Sequence, residues 1–246
     1  MIQFHDVHKS FGTRNVLNGF SLAIPEGQTT VLMGFSGTGK SVALKHIVGL
    51  LEPDAGRVEV DGETVGDLAY EELMRLRTRI GFVFQFAALF DSLTVHDNLS
   101  LGLKRQGLPP DEIATRVTES LRLVELSDAE LRFPAELSGG MRKRVGIARA
   151  IALRPRYILY DEPTTGLDPV TTAAMDELML RARHELGATS VVVTHDVRSA
   201  FAIADRIAFL HEGRIRQVGT VEEIRATDDA LVRGFILGRP ATGERV

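Results

Sequence analysis

The segment from Gly34 to Ser41 constrains the fold more than any other part of the chain. It reads GFSGTGKS and matches the pattern G-x-x-x-x-G-K-[ST], with the apolar run TTVLM directly before it. Glycines let successive backbone N–H groups turn toward an anion, and the N-terminus of a following helix adds partial positive charge. The segment therefore predicts a strand, a phosphate-binding loop and a helix, in that order.

Two side chains of this loop have the chemistry that a nucleotide needs. Lys40 is expected to pair with the β- and γ-phosphates, and the hydroxyl of Ser41 is expected to bind Mg²⁺. The next residues support a helix with one buried face, because apolar side chains recur at helical spacing at Leu44, Ile47, Val48 and Leu51. A simple strand-to-helix turn that uses glycine only for tightness is the alternative. The combination of strand, lysine, hydroxyl and helix favours nucleotide binding.

Composition limits the remaining classes of protein. The chain has 246 residues, of which 44% are hydrophobic and 25% charged, with a net charge of −4. This length fits one large domain or a domain with a subdomain, and the absence of a basic balance predicts no nucleic-acid partner. The chain has no cysteine, which excludes disulfides, thiolate metal sites and cysteine nucleophiles.

No segment looks like a membrane span or a secretory signal. The N-terminal run MIQFHDVHKSFG lacks the basic and then apolar pattern of a signal. The most apolar candidate, near Phe201 to Leu210, is interrupted by Asp205 and Arg206. We expect a protein that is soluble and cytoplasmic on its own, with any membrane role supplied by a partner.

The order of strand-like and helix-like segments predicts an α/β fold. Strand-like runs dominate to about Gly66, and the short strand IGFVFQ follows. From about Phe86 to Arg154 the periodicity is helical, after which strand-like runs return at RYILYDE and TSVVVTHD and end in the hairpin-like RIAFLHEGRIRQVG. This predicts a mainly parallel sheet with a helical insertion. Residues 221–246 are expected to form two short helices and a polar tail.

Two adjacent acids follow a predicted buried strand in RYILYDEPTTGLD. Asp161 and Glu162 are expected at the carboxyl end of that strand, where open α/β sheets bind ligands. Asp161 is a candidate ligand of Mg²⁺, and Glu162 a candidate to orient and polarise a water for attack on the γ-phosphorus. A helix N-cap with an acidic first turn is the alternative. The phosphate loop favours the catalytic interpretation.

A second glycine-rich helix start lies in ELSGGMRKRVGIARAIAL. Ser138, Gly139 and Gly140 predict another anion-binding helix end, although one nucleotide does not need two. The basic run from Arg142 to Arg144 is interpreted as a solvated helix face rather than a nucleic-acid site.

This segment resembles the signature motif of the ATP-binding-cassette (ABC) superfamily, and other segments agree in order and spacing. The phosphate loop resembles its Walker A motif, ILYDEP its Walker B motif, and GLD at Gly166 to Asp168 its D-loop. Gln85 matches the Q-loop, His195 the switch loop, and Phe11 the aromatic A-loop that stacks on adenine. A histidine after a strand is, by itself, more often a hydrogen-bonded surface or core residue, but its register with the other motifs favours a γ-phosphate contact.

The resemblance implies an α/β, ABC-type nucleotide-binding domain that hydrolyses ATP with Mg²⁺. It implies one domain over residues 1–246, with a catalytic core and β subdomain at 1–85 and 155–220, a helical signature subdomain at 86–154, and C-terminal helices and tail at 221–246. The implied catalytic residues are Glu162, His195 and Gln85, and the implied metal ligands are Ser41, Gln85 and Asp161. The implied nucleotide contacts are Phe11, Val16, Gly34, Ser36, Gly37, Thr38, Gly39, Lys40, Ser41, Val42, Ser138, Gly139 and Gly140.

The resemblance also explains the second glycine-rich helix start. In ABC proteins two cassettes meet head to tail, so that the Walker A loop of one and the signature helix of the other enclose each ATP. The implied partner is a second copy of the chain, and because Glu162 and the LSGG segment are intact, both sites of a homodimer would be competent.

An apolar stretch after Gln85 suggests a membrane partner. Phe86, Leu89 and Phe90 are expected to form a docking groove for an integral membrane permease, whereas Phe82 and Phe84 alternate along a strand and are expected in the core. Packing of the helical subdomain on itself is the alternative for the groove.

Finer resemblance concerns FQFAALFDSLTVHDNL, the signature segment and DDALVRGFILG, which are similar to the cassettes of the bacterial Mla and Mce lipid-transport systems. This implies an MlaE-type permease, a periplasmic MCE lipid-binding protein, a small accessory subunit, phospholipid cargo and a peripheral place on the cytoplasmic side of the inner membrane. The chain departs from the superfamily pattern at Phe11, Phe35 and Gly166. The alternatives are a cassette for import of amino acids or another small polar solute, a soluble ABC ATPase, and a small-molecule kinase.

Overall fold

The computed structural model describes residues 1–239 and forms two compact units. Unit 1 contains Met1–Ala69 and the chain from Val191 onward, and unit 2 contains Tyr70–Ser190. The polar tail predicted at the end of the chain lies, from residue 240, outside the described residues.

Unit 1 contains strands and short helices from both ends of the chain. Its N-terminal elements are β1 (Ile2–Phe11), β2 (Arg14–Ile24), β3 (Thr29–Met33), α1 (Lys40–Ile47), β4 (Ala55–Val60) and β5 (Glu63–Thr64), followed by a 3₁₀ turn at Val65–Asp67. Unit 2 contains α2 (Tyr70–Thr78), β6 (Ile80–Val83), α3 (Val95–Arg105), α4 (Pro110–Leu123), a 3₁₀ turn at Pro134–Glu136, α5 (Gly139–Ala152), β7 (Tyr157–Asp161) and α6 (Pro169–Leu186). Strand β8 (Thr189–Thr194) carries the chain from unit 2 back into unit 1, where α7 (Val197–Ile203), β9 (Arg206–His211), β10 (Arg214–Gly219), α8 (Val221–Arg225) and α9 (Ala230–Ile236) follow.

Unit 1 has two sheets. One is four-stranded, in the order β2-β1-β4-β5, and its paired strands are antiparallel. In the other, β10, β9, β3 and β8 lie side by side in that order; β3 and β9 are parallel, and β10 pairs with β9 as the predicted antiparallel hairpin. All five residues of β3 are buried, as expected for a strand covered on both faces.

Unit 2 is mostly helical around a short parallel pair of strands. Strands β6 and β7 are parallel, with Ile80 beside Tyr157 and Val83 beside Tyr160. Strand β7 is entirely buried, so the acidic residue at its carboxyl end is carried by a strand with no exposed face. The predicted α/β class is confirmed, and the helices α3, α4 and α5 occupy the stretch predicted to be helical.

Two local expectations need correction. The helix after the phosphate loop ends at Ile47, with Val48 as its C-cap, because Gly49 adopts a left-handed conformation at φ 61°. Leu51 therefore lies beyond the helix, and of the four predicted apolar residues only Leu44 and Ile47 are in it, where both are buried. Strand β6 ends at Val83, so Phe84 lies outside it.

Within residues 1–239 no helix is both long and apolar enough to cross a membrane.

Candidate functional site

The phosphate loop of unit 1 connects β3 to α1, and two of its glycines are required by close contacts. A side-chain carbon on Gly34 would collide with the backbone oxygen of Leu210. Gly39 has φ 104°, and a side-chain carbon there would lie 2.9 Å from Val16. The loop therefore tolerates only glycine at these two positions, and Val16 packs against its end.

The side chain of Lys40 lies inside the loop. It is 5% exposed, and its Nζ donates to the carbonyl oxygens of Gly34 at 2.9 Å and Phe35 at 2.8 Å. From outside the loop, Arg14 Nη2 donates to the carbonyl oxygen of Gly37 at 2.8 Å. The loop thus surrounds an ammonium group, whose donors suit a charge-assisted contact with an anion.

The other predicted contacts of unit 1 differ in exposure. Ser36 and Gly37 are exposed at the tip of the loop, and Thr38, Ser41, Val42 and Val16 are half-buried. Phe11 is 48% exposed at the end of β1, and Lys9 Nζ lies 5.7 Å from the centre of its ring. An aromatic face in this position is open to stack on a planar ligand.

His195 follows β8 directly and its side chain is exposed. The next residue, Asp196, caps α7 by accepting from the backbone N–H groups of Arg198 at 2.8 Å and Ser199 at 3.2 Å. The capped helix fixes the backbone on one side of His195, and β8 fixes it on the other.

In unit 2 the paired acids occupy the end of β7. Asp161 is the last residue of the strand and is 8% exposed. Glu162 follows it in a left-handed conformation, with φ 49°, and is half-buried. Its Oε2 accepts a hydrogen bond from Thr165 Oγ1 at 3.0 Å. A non-glycine residue in this conformation costs free energy, so the surrounding loop must hold Glu162 in place.

The second glycine-rich helix start is also in unit 2. Ser138 caps α5 through its Oγ, which accepts from the backbone N–H of Met141 at 3.2 Å. Ser138 and Gly139 are exposed, and a side-chain carbon built on Gly139 would meet no atom within 4 Å among the described residues. The start of α5 is therefore accessible, and it has the partial positive charge of a helix N-terminus.

The interpretation of Arg142 to Arg144 as a solvated face is wrong for two of the three residues. Arg142 is exposed, but Lys143 and Arg144 are half-buried. Lys143 Nζ donates to the carbonyl oxygens of Pro163 at 2.9 Å and Thr165 at 2.7 Å. Helical spacing contains the missed signal, because Lys143 shares a face with the buried Ile147 four residues later.

Gln85 is half-buried just after β6, and the apolar side chains that follow it are mostly exposed. Phe86 is 84% and Phe90 56% exposed, while Leu89 is half-buried. The expectation that Phe82 and Phe84 belong to the core is wrong: both are half-buried, and their rings stack on each other with centroids 4.3 Å apart.

The backbone of this apolar segment is held by a residue that the sequence analysis did not identify. Arg149 of α5 donates from Nη1 to the carbonyl oxygen of Ala88 and from Nη2 to that of Ala87, both at 2.7 Å. Ala87 and Ala88 are both left-handed, at φ 60° and 48°. The guanidinium therefore stabilises a strained backbone that presents Phe86 and Phe90 to solvent.

The oxygen donors predicted for Mg²⁺ are a hydroxyl in unit 1 and an amide and a carboxylate in unit 2. Among residues 1–239 no three His, Cys, Asp or Glu side chains gather into a metal-binding group. This donor set still fits Mg²⁺, which prefers hard oxygens and is commonly held by one or two carboxylates together with substrate phosphates.

Comparison with known families identifies the fold. The model of the family described as ABC transporter matches residues 17–165, which is more than half of the chain. Two solved structures are similar over nearly their whole lengths. One is a dimeric post-hydrolysis state of an ATP-binding cassette bound to ADP and Pi, with a TM-score of 0.82 and 36% identity over 90% of this chain and 99% of that one. The other is cbiO1 from Clostridium perfringens, part of the ABC transporter complex cbiONQ, with a TM-score of 0.83 and 30% identity over 96% and 98%.

The curated relatives are also ATP-binding proteins of transporters. The probable ribonucleotide transport ATP-binding protein mkl of Mycobacterium bovis is 40% identical over 239 residues, which cover 97% of this chain and 67% of the relative. The methionine import ATP-binding protein MetN of Mesorhizobium japonicum is 39% identical over 97% of this chain and 65% of the relative. The α/β architecture predicted from the motifs is thus that of an ABC cassette, and the chain belongs to the ABC transporter family as an ATP-binding, ATPase subunit.

Proposed function

We propose that the chain works as a homodimeric ATPase subunit beneath an integral membrane permease. The observation that supports this best is the presence of two glycine-rich helix starts in one chain, at Lys40 in unit 1 and at Gly139 in unit 2. Each is an anion-binding end. A head-to-tail dimer, of the kind that the family forms, uses both: each ATP lies between the phosphate loop of one subunit and the α5 N-terminus of the other.

In this proposal the phosphate loop binds the triphosphate through backbone N–H groups from Gly34 to Val42. Lys40 Nζ donates to oxygens of the β- and γ-phosphates in place of the carbonyl oxygens of Gly34 and Phe35, because the charged phosphate oxygens are stronger acceptors. Phe11 stacks on adenine, and Val16 packs beside the loop end. The α5 end of the second subunit adds Ser138, Gly139 and Gly140 on the other side of the γ-phosphate.

Ser41, Gln85 and Asp161 would hold Mg²⁺, which supplies neutralisation of the charge that develops on the phosphate oxygens. Glu162 accepts a hydrogen bond from the attacking water and polarises it, and His195 donates to the γ-phosphate. Since phosphoryl transfer needs little covalent assistance, positioning and charge neutralisation carry most of the rate enhancement.

We place the permease contact on the apolar segment after Gln85. The exposed rings of Phe86 and Phe90 fit an amphipathic helix of the permease, because such helices insert apolar anchors into grooves. Arg149 of α5 bonds to the backbone of this segment, so a displacement of the Phe86 and Phe90 rings by the permease would also displace α5. The chain would then lie on the cytoplasmic side of the inner membrane as a peripheral subunit.

Phospholipid is the cargo that we propose, with an MlaE-type permease, a periplasmic MCE protein and a small accessory subunit. Support comes from the similarity of FQFAALFDSLTVHDNL and DDALVRGFILG to lipid-transport cassettes. The names of the relatives refer to different cargo, ribonucleotide for one and methionine for another. Import of an amino acid or another small polar solute is therefore the second candidate.

Purification of the complex from membranes tests the proposal. The tagged chain, extracted in mild detergent, should bring down a multi-span permease and phospholipid identified by mass spectrometry. The double variant F86A/F90A should lose the permease while keeping ATP turnover, and L131A, which removes another exposed apolar side chain of unit 2, serves as the matched control. Recovery of a solute-binding protein with bound amino acid would favour the second candidate, and recovery of ribosomes or DNA would contradict both.

A further inference from the structure

Lys143 links the start of α5 to the loop that carries Glu162. Its Nζ donates to the carbonyl oxygens of Pro163 and Thr165, at 2.9 and 2.7 Å, both within the loop between β7 and α6. An ammonium has three donors, so two of the three are used on this loop. The side chain thus fixes two backbone points within three residues of Glu162.

The second of these points is connected to the carboxylate itself. Thr165 Oγ1 donates to Glu162 Oε2 at 3.0 Å, and the Thr165 backbone N–H donates to the Glu162 carbonyl oxygen at 3.3 Å. Thr165 therefore carries both the contact from Lys143 and the contact to Glu162. A shift of Lys143 would move the residue that orients the carboxylate.

The need for such support follows from the backbone. Glu162 has φ 49° and Gly166 has φ 79°, so two of five successive residues are left-handed. Glycine adopts this conformation without strain, but Glu162 keeps it only where neighbouring groups over-determine it. Burial lowers the pKa of Lys143 and the charge of Glu162 raises it, which places an ammonium and a carboxylate within electrostatic reach in a half-buried setting.

Lys143 also lies close to the exposed end of its own helix. It is the fifth residue of α5, about 6 Å along the axis from Gly139 at ~1.5 Å per residue. Gly140, near that end, packs on Thr171 of α6, since a side-chain carbon on Gly140 would lie 3.3 Å from Thr171 Cγ2. The first two turns of α5 thus contact both the loop after Glu162 and the first turn of α6.

We propose that Lys143 is a positioning residue that couples the N-terminus of α5 to Glu162 of the same subunit. The inference rests on the proposed function, in which that N-terminus contacts the ATP held by the other subunit. When the dimer closes on the ATP held by the other subunit, the N-terminus of α5 shifts Lys143, and Lys143 in turn orients Glu162 toward the ATP held by its own subunit. Through this single side chain, the occupancy of one ATP site affects hydrolysis at the other.

Steady-state ATP hydrolysis of K143M, K143R and R144M tests this. Methionine keeps most of the length and apolar volume but removes every donor, whereas arginine keeps donors and charge. R144M removes a neighbouring charge from the same helix, where Arg144 bonds to Val124 and Glu125 instead of the loop. All variants are compared with wild type by thermal unfolding, so that a misfolded protein is recognised before turnover is interpreted.

We expect K143M to reduce kcat by about tenfold, equivalent to ~1.4 kcal/mol, with the KM for ATP within about twofold and a Hill coefficient that falls toward 1. K143R should recover most of the kcat, and R144M should stay within about twofold of wild type. Equal kcat in K143M and wild type, a rise in KM alone, or no recovery in K143R would overturn the inference. Absence of ATP hydrolysis by wild type would instead refute the proposed function, so the two failures are distinct.

Discussion

The ring of Phe35, in the phosphate loop, meets the ring of Phe235, in α9, edge to face, with centroids 4.9 Å apart. Phe209 of β9 completes the group at 5.1 Å from Phe235 and 6.2 Å from Phe35. These three rings, which we term the aromatic cluster, connect the last described helix of unit 1 to the loop proposed to bind ATP. A residue that departs from the superfamily pattern thus has a packing role here.

Removal of the α9 ring should weaken both stability and nucleotide binding. In F235A we expect a loss of about 1–2 kcal/mol in the free energy of unfolding, because Phe235 is half-buried and aromatic pairs add to its area. The affinity for a non-hydrolysable ATP analogue should fall severalfold as Phe35 loses its support. Urea denaturation and analogue titration measure the two effects.

Leu237, at the end of the same helix and 55% exposed, supplies the control. L237A should change stability by less than about 0.5 kcal/mol and leave affinity unaltered. Similar losses in both variants would assign the effect to α9 in general and contradict a role for the aromatic cluster.

Loss of the loop ammonium should reduce nucleotide affinity. We expect K40A to weaken binding of the ATP analogue by about 10- to 100-fold, because hydrogen bonds to charged groups contribute ~1.5–3 kcal/mol. Calorimetric titration of K40A against K45A checks this, since both variants lose one positive charge of α1 and only Lys40 contacts the loop carbonyls. Unchanged affinity in K40A would contradict the assignment of the phosphate loop.

His46 should make stability depend on pH. It is 1% exposed, its Nδ1 lies 2.7 Å from the carbonyl oxygen of Val42, and its Nε2 has no partner among residues 1–239. Burial lowers its pKa from 6.5; the Val42 carbonyl opposes this shift, the charge of Lys9 adds to it, and Asp54 and the backbone of Glu52 oppose it further. The unfolded chain therefore binds a proton that the folded chain does not, so stability is fully present above pH 6.5 and falls as the pH drops below it.

At pH 5.5 this single group lowers the free energy of unfolding by at most about 1.4 kcal/mol relative to pH 7.5. Urea denaturation at both values measures the difference for wild type and H46N, which keeps a donor for the Val42 carbonyl but does not titrate. The difference should shrink in H46N. An identical difference in the two proteins would show that other groups cause it.

How far the sequence predicts this molecule depends on the kind of contact. The phosphate loop, the buried strand before Asp161 and the capped start of α5 are local, because glycine, periodicity and cap residues act within a few neighbours. Even there, Gly49 ended α1 earlier than its apolar spacing suggested, since left-handed glycine overrides periodicity.

Contacts between distant segments could not be predicted in the same way. Lys143 bonds to residues 20 and 22 positions away, and Phe35 packs on a residue 200 positions away, where no spacing rule applies. Phe82 and Phe84 alternate as core residues of a strand do, yet the strand stops at Val83 and the rings stack on each other instead. Composition marks these side chains as apolar but does not say what covers them.

The central claim is that two chains must face each other to complete two ATP sites. In E162Q the amide keeps the shape of the side chain and an acceptor for Thr165 but no longer polarises the attacking water, so bound ATP should persist. The mass of E162Q with Mg²⁺ and ATP, measured by light scattering after size exclusion, tests the claim most directly. We predict a mass of twice the 27.0 kDa of one chain. The turnover of E162Q should be at least about 100-fold below that of wild type, because loss of a general base costs a factor of this order. A strictly monomeric, ATP-loaded E162Q, both in solution and with its permease, would contradict the account.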